Sequence, residues 1–138
     1  MEILLVPFGE HVGIEKKNDT CLKLLFHKHV ENHIGTLHAS AQFMLAETQS
    51  AYYLESLFPQ YRDKIIPLLR SSSVKYKNPA TKDIYAIATT SDELLKKFEK
   101  QFLRKGRGSI TVMVKVIDMD DVVTMVGEFV WFIQKIEE

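Results

Sequence analysis

Apolar positions alternate with polar ones over some stretches of this chain and recur every three to four residues over others, and the two periods divide it into elements. The stretch CLKLLFHKHV sets Leu22, Leu24, Phe26 and Val30 on one side and Lys23, His27 and His29 largely on the other, the pattern of a half-buried strand. Residues from about Glu10 to Lys17 read as a strand joined to it through KNDT, where Asn18 and Asp19 suit a hairpin turn. Gly35 and Thr36 break the second strand, and Thr36 is placed to cap a helix from about Leu37 to Phe58 that Pro59 ends. Ser40, Phe43, Met44, Ala51, Leu54 and Phe58 share the face of Glu47, while Gln42, Leu45, Gln49 and Tyr52 lie on the opposite side. A helix apolar nearly all round is a central one.

The second half of the chain predicts four strands and one helix. IIPLLRSSSVKYK and IYAIATT are separated by the turn NPATKD, and Pro67 predicts that the first strand starts after it or bends there. SDELLKKFEKQFLRKG has acids in its first turn, Lys and Arg in its last, and Gly106 as a stop. Leu94, Leu95, Phe98 and Phe102 form one stripe, which predicts an amphipathic helix from about Asp92 to Lys105 that either covers the sheet edge or roofs a pocket. SITVMVKVIDM and VVTMVGEFVWFIQKI, joined at DMDD, predict a long antiparallel hairpin. This order implies an α+β fold with a curled antiparallel sheet around one long helix.

Composition narrows the classes of function. A chain of 138 residues, 46% apolar and 26% charged, is expected to form one domain over residues 1–138. Lys plus Arg and Asp plus Glu both number 18, so no net field favours nucleic acid or anionic lipid. One cysteine, Cys21, allows no internal disulfide, and MEILLVPFGE has neither a basic start nor an apolar run long enough for export or spanning. The expectation is a cytoplasmic protein without membrane or nucleic-acid partners.

The long helix carries the candidate chemistry. A helix beginning near Thr36 is expected to leave the backbone N–H groups of Leu37, His38 and Ala39 free at its positive end, a ready anion site. A carbonyl under nucleophilic attack and aimed there would have its developing oxyanion stabilised, typically by about 3 kcal/mol per donor. Glu47, flanked by Phe43, Met44 and Leu54, is expected to be poorly solvated, with a raised pKa that suits a base for water or a nucleophile.

The run Asn32-x-x-Gly35-Thr36-x-His38, followed nine residues later by Glu47, closely resembles the N-x-x-G-T-x-H-G-G...E/D signature of the PaaI-like hotdog-fold thioesterases. Tyr76, Pro79 and Ala80 in VKYKNPAT resemble that family's turn between its third and fourth strands. The inserted helix is similar to that of an uncharacterised branch of hotdog thioesterases. The resemblance implies a hotdog fold and hydrolysis of an acyl thioester, with coenzyme A or pantetheine entering as part of the substrate and no separate cofactor. It implies that Asn32 orients the water or the substrate carbonyl, that the Ala39 amide forms the oxyanion hole, and that Glu47 is the catalytic acid, with His38 beside them. Gly35, Ser40 and Ser73 are the implied substrate-binding positions. It also implies a homodimer with helices side by side, or a tetramer.

The motif departs from the family where His-Gly-Gly becomes His38-Ala39-Ser40, which keeps the amides but adds side chains along the path of the pantetheine arm. That departure supports a second reading, a non-catalytic acyl-thioester-binding protein. A third is a dehydratase or hydratase in which His38 and Glu47 act at the β-carbon. His27, His29, His33 and His38 make a weak case for a metal, since no HExxH or CxxC accompanies them. Lys96, Lys97, Lys100, Arg104, Lys105 and Arg107 read as the solvated face and end of the second helix.

Overall fold

A six-stranded antiparallel sheet, in the order β1-β2-β4-β5-β6-β3, curls around one long helix in the computed structural model, which describes residues 3–136. The strands are β1 (Ile14–Lys16), β2 (Leu22–Leu24), β3 (Ile65–Tyr76), β4 (Ile84–Thr89), β5 (Arg107–Asp118) and β6 (Val123–Lys135). The helices are α1 (Pro7–Val12), the central α2 (Ala39–Leu57) and α3 (Asp92–Lys105). This is the α+β arrangement expected from the element order and the hotdog fold that the resemblance implied.

Period-two patterning builds the inner face of the sheet. Ile110, Val112, Val114 and Val116 of β5 are buried and pair with Trp131, Phe129, Gly127 and Met125 of β6. Each such side chain, taken out of water, contributes roughly 1.5–3 kcal/mol. Against this face lies α2, with Leu45 and Ala46 enclosed and Phe43 tilted on Phe129 at 5.5 Å between ring centroids. Two buried polar side chains fix the rotation of α2. Gln49 accepts from Leu22 N at 2.7 Å and donates to Thr20 O at 3.0 Å, while Trp131 Nε1 donates to Ser50 Oγ at 2.8 Å.

The stripe of α3 closes the end of the core beyond the last turn of α2. Phe98 meets Phe58 at 5.3 Å and Phe102 meets Tyr61 at 5.0 Å, whereas Leu94 stays exposed. Ser91 Oγ accepts from Leu94 N at the helix start, and Gly106, at φ 71°, ends it in the left-handed region.

Four expectations need correction. The strand predicted from Glu10 is a helix until Val12, begun by Pro7 and ended by Gly13 at φ 101°, so β1 starts only at Ile14. The strand predicted from Cys21 to Val30 stops at Leu24, because Phe26 N leaves the ladder for Asp83 Oδ1 at 2.7 Å and residues 28–30 coil into a 3₁₀ turn. Pro67 lies inside β3, paired with Ile133, which is tolerated because β3 is an edge strand. The register of β3 then slips between Leu69 and Ser71, a bulge at Arg70 that reverses which residues face the helix. Leu69, opposite Trp131, faces inward before it; Ser72 and Val74, opposite Phe129 and Gly127, face inward after it.

Gly127 marks the tightest inner contact, since a Cβ there would lie 2.9 Å from Phe129 Cε2 and 3.0 Å from Val74 Cγ1. Gly127→Ala is expected to destabilise the protein by about 1–3 kcal/mol, read as a lower urea midpoint at unchanged m.

Candidate functional site

The loop before α2 folds on one side chain. Asn32 Oδ1 accepts from Ile34 N and Thr36 N, both at 3.0 Å, and its Nδ2 donates to Thr36 Oγ1 at 2.7 Å. Asn32 N donates to Thr36 O, and Gly35, at φ 78°, makes the left-handed step that lets the loop close. Only the second Nδ2–H of Asn32 is left for a ligand.

The helix then starts two residues later than predicted, and its cap is His38 rather than Thr36. His38 Nδ1 accepts from Ser40 N at 3.0 Å, which assigns the ring proton to Nε2. Of the amides expected to be free, Leu37 N is spent on Ala80 O at 2.8 Å and His38 N on Val30 O at 2.8 Å. Ala41 N and Gln42 N both return to His38 O. Ala39 N–H alone in this first turn has no acceptor among the described residues, and it stands at the positive end of the α2 dipole. Tyr76 Oη donates to Ala39 O at 3.2 Å, so the strand-turn of VKYKNPAT and the Asn-Gly-Thr-His motif, distant in sequence, hold one another. Burial raises the Tyr76 phenol above its ordinary pKa.

Glu47 lies two turns further along α2, half-buried on the side toward β3. Among the described residues no cation pairs with its carboxylate, and burial pushes its pKa above the ordinary glutamate range. One, two and three turns on, Ala51, Leu54 and Phe58 line a small apolar recess of about 40 Å³ with Ile65, Pro67 and Ile133. Ala39 and Glu47 are separated by a helical rise of about 12 Å.

An open depression of about 290 Å³ at the start of α2 is lined by Asn32, Thr36, Ala39, Gln42, Tyr76 and Asn78, among others. Gly35 and Ser40 are exposed beside it. Ser73 is not there. The bulge at Arg70 puts Ser73 opposite Glu128 on the outer face, beside Lys75 and Met113, so the substrate-binding position expected for it does not fit, and Ser72 holds the inward place. Gln42 was placed only as part of the opposite side of the helix, yet it is buried with Oε1 unpartnered. A long polar side chain between Ala41 and Phe43 was the available signal. Among the described residues, no three His, Cys, Asp or Glu side chains gather to hold a metal. Among the described residues no helix is long and apolar enough to cross a membrane.

The geometry has close counterparts among solved structures. A Pseudomonas aeruginosa protein, PA5026, described as a probable thioesterase, superposes with a TM-score of 0.80 at 18% identity, covering 97% of this chain and 91% of that one. BH2602 from Bacillus halodurans, solved with CoA, gives 0.73 at 16% identity, over 93% of this chain and 76% of that one. A mutant of the thioesterase enzyme SAV0944 from Staphylococcus aureus gives 0.72 at 17% identity, over 94% and 99%. At these identities the likeness is one of fold. No curated protein matches the chain in sequence. The family model for a domain of unknown function, DUF4442, matches residues 11–133. This hotdog-fold chain belongs to the DUF4442 family.

Proposed function

We propose that the protein hydrolyses an acyl thioester of coenzyme A or of a carrier-bound pantetheine, as a homodimer. The observation that carries this reading is the single unspent amide of Ala39 at the head of the helix that also bears the unpaired, desolvated carboxylate of Glu47. The thioester carbonyl oxygen accepts from Ala39 N–H. Glu47 takes a proton from water as its oxygen attacks the carbonyl carbon, and the oxyanion that forms sits on the amide. The intermediate collapses with rupture of the C–S bond, and Glu47 returns the proton to the leaving thiolate. Asn32, through its remaining Nδ2–H, orients the carbonyl or the water. The acyl chain lies toward the recess at Ala51 and Leu54.

Two groups about 12 Å apart along one helix cannot both touch one reacting carbonyl. Antiparallel pairing of the open β3 edge with a second copy runs the two α2 helices side by side in opposite directions. That brings Glu47 of one chain toward Ala39 of the other. The unpaired backbone of the twelve-residue edge strand supports such an association. A role for His38 in acid-base chemistry at a β-carbon is disfavoured, because its Nδ1 is engaged by Ser40 N.

The test is thiol release from a panel of acyl-CoAs of short to long chain. Glu47→Ala and Glu47→Gln are each expected to lose at least about a hundredfold in kcat. Ala39→Pro deletes the amide hydrogen at a position where a helix accepts proline and where His38, at ψ 140°, is already compatible with it. It is expected to lose about 10²–10³ in kcat with the fold kept, while Ala39→Gly keeps activity. Turnover indifferent to Glu47 would contradict the assignment. The acid limb of kcat/KM is expected above the ordinary glutamate value of 4.5. Because the folded pKa is raised, wild-type stability should fall as pH rises from the unfolded value through the folded one. Glu47→Gln should therefore melt no lower than wild type at pH 7, the difference vanishing on acidification.

A further inference from the structure

Gln42 holds the one buried side-chain polar atom without a hydrogen-bond partner among the described residues, its Oε1. It is 3% exposed, stands one turn into α2, and lines the depression that also contains Asn32, Ala39 and Tyr76. Reversing the amide would only exchange which end is orphaned. Gln49, seven residues further and on the same side of the helix, is 1% exposed and has both ends bonded, to Leu22 N and Thr20 O. The chain thus satisfies one buried glutamine of this helix and leaves the other open, beside its one unspent helix-start amide. Oε1 itself is closed to solvent while the residue lines the depression, so a ligand N–H there meets it with a turn of the side-chain amide.

We propose that Gln42 binds the leaving-group arm of the thioester by accepting the N–H of its first secondary amide. The proposal rests on the hydrolase reading of this site. In a pantetheine-type thiol that amide nitrogen is two methylenes from the sulfur. Gln42 is three residues from Ala39, a rise of about 4.5 Å, so one ligand can reach both. The Glu47 that serves this amide comes from the other copy in the proposed dimer, so the arm at Gln42 and the base stand on different helices. Gln42 therefore sets affinity and thiol preference and leaves the bond-breaking step alone.

The experiment compares two esters of one acyl group, the N-acetylcysteamine thioester, which has this amide, and the propanethiol thioester, which lacks it. Gln42→Leu and Gln42→Met are expected to raise KM for the first by about tenfold, with kcat within about twofold, and to leave KM for the second unchanged. Their melting temperatures should not fall, since an unsatisfied polar group is removed, whereas a purely structural role would lower them. Equal effects on both esters, or none on either, overturn the role of Gln42 while the wild-type turnover keeps the hydrolase reading. If the wild type binds the esters in calorimetry without turnover, the hydrolase reading fails and the same comparison is read in Kd. If it neither binds nor hydrolyses them, both readings fall.

Discussion

The rotational setting of α2 is the constraint on which the site depends. Apolar residues are spread almost evenly around this helix, so burial alone does not decide which side meets the sheet. The decision falls to polar side chains in the interior. Gln49 pins one side to β2, and Ser50 pins another to Trp131 of β6, each with distances of 2.7–3.0 Å. A helix turned by one residue would leave these donors and acceptors unpaired in the core, which costs far more than a neutral hydrogen bond gains. With α2 so fixed, Glu47 is held half-buried toward the open edge, and Ala39 opens on the depression at the helix start.

The second constraint is hydrogen-bond accounting at that start. A helix begins with orphaned amides, and here the surrounding loop consumes them one at a time: Ala80 O takes Leu37, Val30 O takes His38, and the His38 ring takes Ser40. One amide remains, so a carbonyl delivered to the site has a single directed donor rather than a diffuse positive end. The same economy ties the two motifs together, because Ala80 of the strand-turn holds Leu37, two residues before that donor, and Tyr76 holds the carbonyl of Ala39 itself.

Much of the fold was legible in periodicity. The central helix, α3 with its Ser91 and Gly106 ends, and the β5–β6 hairpin follow from patterns that local physics enforces over ten residues or more. The misses are places where short or distant interactions prevail. The helix α1 is too short for its period to show, although Pro7 and Gly13 bracket it. Ser73 was named from the family resemblance, and its facing was not legible, since one extra residue at Arg70 turns Ser72 inward and Ser73 outward. Thr36 is a good cap by type, but its hydroxyl is taken by Asn32, and His38 does the capping. Asn32 and Glu47 were legible as a motif, and the resemblance singled out the Ala39 amide; that Leu37 and His38 are spent was not legible, since it depends on the carbonyls of Ala80 and Val30.

The account stands on the Ala39 amide and the Glu47 carboxylate serving one thioester from two copies of the chain. Ala39→Pro and Glu47→Gln, each inactive alone, would be mixed, allowed to exchange subunits, and assayed. The account predicts recovery of about a quarter of wild-type turnover, because half of the dimers formed at random are mixed and each has one intact site. Mixed protein shown to exchange, yet no more active than its parents, would contradict it.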